Sequence, residues 1–288
     1  MSSIDQRRRF RAILAGDQCV QPASVFDPIS AARLAEDLEF ETGILAGSVA
    51  SLVVLGAPDL VVMTLTELAD QVRRITRASG LPLLVDADHG YGNALSVMRT
   101  VQELEVAGVS ALTIEDTQLP QAYGSLEAKL IPMKEGLGKL RAALAARRDH
   151  TLVIVARTSA MKITGTDDAV ARARAYTQAG ADALFFSGIS TMTQLQAVRT
   201  VTDLPIILGS TEGDLGEPGG LAAHGVRMSL QGHQPFLAAL QAIHSTLKAL
   251  REGADQKHWP GGPSGELMKQ VTRNQSYATA IKDFMGVG

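Results

Sequence analysis

Asp86 and Asp88 stand two residues apart in the run Val85-Asp-Ala-Asp-His-Gly-Tyr-Gly-Asn93, directly after a short apolar stretch. If that stretch is a strand, residues i and i+2 share one side of its end. Paired carboxylates there offer the hard oxygen ligands that Mg²⁺ takes. Asp followed by Gly also builds turns, so the pair by itself leaves a metal site and a plain loop both open. A second apolar run ends Ile114-Glu-Asp116 and adds Glu115 and Asp116 to the group. Carboxylates gathered in one place repel each other unless a cation neutralises them, which favours the metal.

Other polar residues end apolar runs in the same way. Arg157 follows Leu152–Ala156 and must find an anion or reach water. Its planar fork suits a carboxylate better than a lysine would, and an ion pair with the Asp86/Glu115 group is compatible with that role. Ala46-Gly-Ser48 offers backbone N–H groups and the Ser48 hydroxyl to an oxyanion. His233, after Gln231-Gly232, can donate to a carboxylate or carbonyl. His150, His224, His244 and His258 fall in helices, helix ends or linkers, and no His spacing indicates zinc. Cys19 precedes the first strand and is expected to be inert.

These residues need elements to carry them. Val106-Ala-Gly-Val-Ser-Ala-Leu-Thr-Ile-Glu115, Gln178-Ala-Gly-Ala-Asp-Ala-Leu-Phe-Phe-Ser187 and Ala222-Ala-His-Gly-Val-Arg-Met-Ser-Leu-Gln231 repeat one phrase. Each reads as a helix end, a left-handed Gly cap and a strand covered on both faces. Gly80-Leu-Pro-Leu and Asp203-Leu-Pro-Ile enter strands through proline. With Gln21–Phe26, Thr42–Ala46 and Leu152–Arg157, about eight strands alternate with helices such as 30–38, 66–78, 94–107 and 167–179. The pattern predicts an α/β fold, a (β/α)₈ barrel of TIM type over 1–250, with active residues at the strand C-termini. Residues 251–288 form a Gly- and Pro-rich linker and a helix over Gly265–Phe284 capped by Ser264, which packs on its own subunit or on a neighbour.

Composition excludes several classes. The 288 residues carry 27 basic and 30 acidic side chains, a formal charge of −3, which leaves no electrostatic footprint for nucleic acid. No apolar run reaches the ~20 residues of a membrane span. The lone cysteine makes no intrachain disulfide, so a cytoplasmic location is expected. The Arg7–Arg11 cluster reads as the solvated basic face of a first helix.

Beyond these features, the chain resembles the isocitrate lyase/phosphoenolpyruvate mutase superfamily over nearly its whole length. The likeness is carried by Val25-Phe-Asp-Pro-Ile-Ser-Ala-Ala-Arg33, Ile44-Leu-Ala-Gly-Ser48, Pro58-Asp59, Leu65-Thr-Glu67, Asp86-Ala-Asp-His-Gly-Tyr-Gly92, Ile114-Glu-Asp116 and Ala156-Arg-Thr158. Asp86–Asn93 and the Gly-His after the last strand resemble its oxaloacetate decarboxylase branch. The resemblance implies Mg²⁺, or Mn²⁺ in its place, with Asp86 as direct ligand and Asp88 and Glu115 acting through water. It implies that Ser48, Arg157 and His233 contact a small 2-oxo acid, Arg157 and His233 catalytically. It also implies a homotetramer, a dimer of dimers, whose terminal helix is exchanged between subunits. The reaction so implied is decarboxylation of oxaloacetate to pyruvate and CO₂ through an enolate.

Departures narrow the activity. The lyases' Lys-x-Cys-Gly-His phrase after strand four is replaced by Pro120-Gln-Ala-Tyr-Gly-Ser125, and the mutases' Lys and Asn are missing there too. Ser159 stands where many relatives have an acid, and Gly209–Gly220 matches the branch poorly. The alternatives are C–C cleavage of a substituted malate with Glu212 or Tyr123 as acid, a phosphonomutase-like reaction, and a 2-oxo acid-binding protein without turnover.

Overall fold

A computed structural model describes residues 2–125, 127–210, 213–255 and 261–286. Its strands are β1 (Ala23–Ser24), β2 (Gly43–Leu45), β3 (Leu83–Asp86), β4 (Ala111–Glu115), β5 (Val153–Thr158), β6 (Ala183–Phe186), β7 (Ile206–Leu208) and β8 (Val226–Ser229). They form one eight-stranded sheet, paired in chain order and parallel throughout. Val20, just ahead of β1, joins the two edges: its N–H donates to Arg227 O at 3.0 Å, and its carbonyl accepts from Ser229 N–H at 3.1 Å. The result is the expected barrel, with a shorter first strand than Gln21–Phe26 suggested.

Between the strands run α1 (Ser3–Ala15), α2 (Leu34–Asp37), α3 (Gly47–Leu55), α4 (Leu65–Ala78), α5 (Ala94–Ala107), α6 (Met133–Ala146) and α7 (Ala160–Ile163). The series continues with α8 (Thr166–Gln178), α9 (Met192–Arg199), α10 (Pro218–Ala222), α11 (Gln234–Arg251), α12 (Gly265–Val271) and α13 (Asn274–Met285). A wider helical turn at Pro28–Arg33 leads into α2, so the helix expected from residue 30 is α-helical only over its second half. The Leu65-Thr-Glu67 stretch has a local physical role: Glu67 and Thr64 form a reciprocal cap at the start of α4. Gly108, Gly180 and Gly225 all take left-handed φ values where helices give way to strands.

Alternation along the strands divides the core in two. Leu84, Ala111, Val153, Val155, Ala183, Phe185, Ile207 and Met228 point into the barrel, and Phe10 and Leu14 of α1 plug its base. The neighbouring strand residues pack outward against the helices. Replacing the fully buried Phe10 by Ala is expected to cost about 3–5 kcal/mol.

Two expectations are corrected. The basic cluster of α1 is only partly solvated: Arg8 and Arg9 are exposed, but Arg7 is buried and Arg11 is half-buried against the barrel base. The alternation of strand and helix leaves carbonyls turned towards α1 there, and the guanidinium groups of both arginines satisfy them. The segment after Ser264 is two helices and not one, because Arg273 adopts a left-handed φ of 52° between them. Ser264 does cap the first, accepting from Leu267 N–H at 3.1 Å.

Candidate active site

The inward positions change from apolar to charged as the strands reach their C-terminal ends. Leu84 is followed on the same face by Asp86, Ala111 by Thr113 and Glu115, and Val155 by Arg157. Register sets them side by side: Asp86 pairs with Thr113 across β3 and β4, while Glu115, Arg157 and Phe185 align across β4, β5 and β6. Asp86, Asp88, Glu115 and Arg157 thereby share a cavity of about 470 Å³, completed by Asp59, Val61, Leu119, Ser159 and Lys162 among others.

Arg157 is the hub. Its guanidinium forms a hydrogen-bonded ion pair with Asp86 Oδ2, and its Nε lies 3.3 Å from Glu115 Oε2. The Phe185 ring supports it from one face, 5.1 Å from ring centre to guanidinium carbon. Asp86 also accepts from Thr113 Oγ1 at 2.9 Å and from Asp88 N–H at 3.2 Å. Burial works against the Asp86 charge, yet Arg157 and these donors outweigh it and hold its pKa below the usual carboxylate range.

Asp88 is in the opposite condition. Burial, then the charges of Asp86, Glu115 and Asp59, push its pKa up to about 8. Glu115 is raised chiefly by burial, with Arg157 pulling the other way, and Asp59 is raised by burial and by Asp86. Arg157 and Lys162 against Asp59, Asp86, Asp88 and Glu115 leave a surplus of carboxylates in the cavity, with Arg157 the cation among the more deeply set Asp86, Asp88 and Glu115.

The backbone gives Asp88 its place at a cost. Asp88 and Tyr91 both take left-handed φ, 47° and 60°, a conformation that persists in non-glycine residues only under firm constraint. Part of the constraint is Lys139, buried on α6, whose Nζ donates to His89 O at 3.0 Å. Another part is Gly47 at the start of α3, where any Cβ would stand 2.7 Å from Asp88 Oδ1. Ser48 follows it, on a helix start whose N-cap, Ala46, supplies no side-chain cap. First-turn N–H groups beside Asp88 suit an anion once the carboxylates are neutralised.

These donors fit a divalent cation. They are hard oxygens, and the raised pKa of Asp88 reports a negative excess that a cation would relieve. Among the described residues no three His, Cys, Asp or Glu side chains converge as a closed cage. Mg²⁺ ordinarily keeps several waters and takes one or two protein carboxylates, so that arrangement suits it.

The residues singled out in the sequence are distributed unevenly. Asp86, Asp88, Glu115 and Arg157 line the cavity together; Ser48 and His233 do not line it. Ser48 adjoins it through Gly47. His233 stands at the start of α11, close enough for Asp86 and Asp59 to act on it; burial nevertheless keeps its pKa below the usual value. Asp116 is a correction: it faces outward and accepts from Tyr176 Oη at 2.7 Å and from Arg172 Nη1 at 2.9 Å. Period-two alternation puts Glu115 inside and its neighbour outside, so Asp116 belongs to the packing of β4 against α8. Cys19 lies 3.6 Å from Ser229 Oγ, with its thiol pKa raised by burial, and is unreactive in that setting. Tyr123 is fully exposed, and Glu212 lies outside the described residues. Thr113 and Phe185 were missed as functional neighbours, although the same alternation would have found them.

Comparison with known proteins agrees with this architecture. The family model described as phosphoenolpyruvate phosphomutase matches residues 10–251. A Bradyrhizobium sp. (strain ORS 278) protein named oxaloacetate decarboxylase is 54% identical over 283 residues, covering 98% of each chain. One of the same name from Rhodopseudomonas palustris is 55% identical over the same share of both chains. Among solved structures, phosphoenolpyruvate phosphomutase from Streptomyces platensis subsp. rosaceus superposes with a TM-score of 0.86 at 27% identity, covering 97% of this chain and 99% of that one. A phosphonopyruvate hydrolase complexed with oxalate and Mg²⁺ gives 0.85 at 26% identity, covering 99% and 100%.

Proposed function

The chain belongs to the phosphoenolpyruvate phosphomutase family, and from that premise we propose that it decarboxylates oxaloacetate to pyruvate and CO₂ in the presence of Mg²⁺, with Mn²⁺ able to substitute. The observation that carries this reading is the surplus of buried carboxylates around Arg157, set on a chain that matches named oxaloacetate decarboxylases over 98% of its length. Asp86 would hold the cation directly, and Asp88 and Glu115 through its waters. When bound, Mg²⁺ supplies a Lewis acid for a 2-oxo carboxylate.

The protein's own part is placement and charge. Arg157 is rigid, held by Asp86, Glu115 and the Phe185 ring, and presents its fork to a carboxylate in a fixed plane. As the distal carboxylate departs as CO₂, negative charge moves to the 2-oxo oxygen. Arg157 and the first-turn N–H groups at Gly47 and Ser48 stabilise it there without reorganising. His233 orients a substrate carboxylate. No side chain is required as base, because the distal carboxylate is already ionised before it leaves as CO₂, and solvent supplies the proton that converts the enolate to pyruvate. Cleavage of a substituted malate would need an acid, and the solvent position of Tyr123 does not favour one.

Pyruvate release from oxaloacetate tests the reading. It should require Mg²⁺ or Mn²⁺ and stop in excess chelator; equal release without the metal would sink it.

The same reading extends to assembly. It divides the chain into a barrel over 1–250 and a linker with a C-terminal helical extension over 251–288, assembled as a cytoplasmic homotetramer with exchanged terminal helices. Supporting this, Leu237, Leu240, Ile243 and Leu247 of α11 are exposed, as are Tyr277 and Phe284 of α13. No helix among the described residues is long and apolar enough to cross a membrane. Truncation after Gly261 should lower the number of subunits per particle in sedimentation, and an unchanged subunit number would place α12 and α13 on their own barrel.

A further inference from the structure

His233 is held from behind by a residue that no motif points to. Ser24, on β1, is buried at 5% exposure, and its Oγ lies 3.0 Å from His233 Nδ1. Such a contact can be made in two ways. Either Ser24 donates to Nδ1 and the ring proton sits on Nε2, or Nδ1–H donates to Ser24 and Nε2 keeps a lone pair.

Two observations choose between them. First, Ser24 Oγ makes no other hydrogen bond to the described residues. Were it the acceptor, its own buried O–H would lack a partner among them, an arrangement folded proteins avoid. Second, the ring lies in the field of Asp86 and Asp59. With Nδ1 engaged by Ser24, Nε2 is the ring nitrogen without a hydrogen bond to the described residues, and the charges of Asp86 and Asp59 reach the ring. A lone pair there would face negative charge, whereas an N–H is attracted to it. Burial keeps the imidazole pKa below its usual value, so near neutral pH the question is one of tautomer.

We propose that Ser24 is a positioning residue: its hydroxyl donates to Nδ1 and fixes His233 as the Nε2–H tautomer. His233 then meets an anionic substrate as a hydrogen-bond donor and not as a base. The consequence for oxaloacetate rests on the function proposed above, but the tautomer itself does not.

Nitrogen-15 NMR of the full-length protein tests it, with His233→Gln used to assign the ring signals. The wild type should show a protonated Nε2 and an unprotonated Nδ1, and Ser24→Ala should let the Nδ1–H form appear. With Mg²⁺ and oxaloacetate, Ser24→Ala should raise KM about five- to tenfold, the worth of one hydrogen bond, and leave kcat within about twofold. Ser24→Thr restores the hydroxyl and should recover the wild-type KM. His233→Gln, whose amide reaches the Nε2 position, should bind better than His233→Asn. A wild-type ring protonated at Nδ1, or a tautomer indifferent to Ser24→Ala, overturns the proposal. A wild type with this tautomer but no turnover of oxaloacetate would instead remove the proposed function and leave the Ser24 assignment standing.

Discussion

At the base of the barrel Arg7 meets Asp149 at 2.6 Å and also donates to Val109 O at 2.9 Å and Glu105 O at 2.6 Å. At the mouth Arg157 faces Asp59, Asp86, Asp88 and Glu115 in one cavity. Residue types are the same, but the accounts differ. Each of the three guanidinium nitrogens of Arg7 donates to an acceptor, and Asp149 is further held by Thr151, whose Oγ1 donates to it at 2.6 Å. Burial opposes the Asp149 charge, but Thr151 and Arg7 prevail and hold its pKa down to about 2. Burial and like charges lift Asp88 to about 8. A buried charge that is matched stabilises the fold at the base; a surplus that is unmatched costs stability and persists where a ligand will complete it.

The sharpest break of this contrast is Asp86→Ala. Turnover should fall about a thousandfold or more, the several kcal/mol that a positioned Lewis acid supplies, while thermal unfolding moves little. Full activity, or a collapse of the fold, would show the mouth to be structural like the base.

Arg7→Met is the converse. It strands Asp149 and the carbonyls it served, and should cost about 3 kcal/mol in denaturant unfolding while kcat stays near wild type. A loss of turnover with unchanged stability would erase the distinction between the two ends.

Acid titration gives a smaller effect of known sign. The folded pKa of Asp149 is depressed, so its contribution is present above the unfolded value of 3.8 and is lost as pH falls towards about 2. The full contribution is about 2 kcal/mol by linkage. Asp149→Asn should flatten the stability profile across that window, and an unchanged slope would reject the assignment.

Arg157→Lys probes geometry at constant charge. Oxalate is planar and doubly negative, like the charge distribution expected in the reaction, and should bind more tightly than pyruvate when Mg²⁺ is present. Losing the fork should weaken oxalate about tenfold and Mg²⁺ far less, measured by calorimetry. Equal binding of oxalate and pyruvate by the wild type would count against the proposed chemistry.

Much of this was legible in the chain. Strand-ending Asp86, Glu115 and Arg157, the Gly caps at 108, 180 and 225, and proline entries at Pro82 and Pro205 follow from local chemistry. Local chemistry needs only neighbours in sequence, which is why eight parallel strands and the charged mouth could be anticipated. What the sequence could not decide depends on which face meets which partner. Alternation separates the faces of the adjacent carboxylates Glu115 and Asp116, but only the register of the sheet and the packing of α8 set one against Arg157 and the other against Arg172. Arg7 and Arg11 look like surface charge until the barrel base supplies their carbonyls. Ser24 and His233 are separated by 209 residues, and their contact exists because β1 lies next to the exit of β8 in the closed ring. Spacing along the chain carries no trace of such a pair; the closure of the barrel creates it.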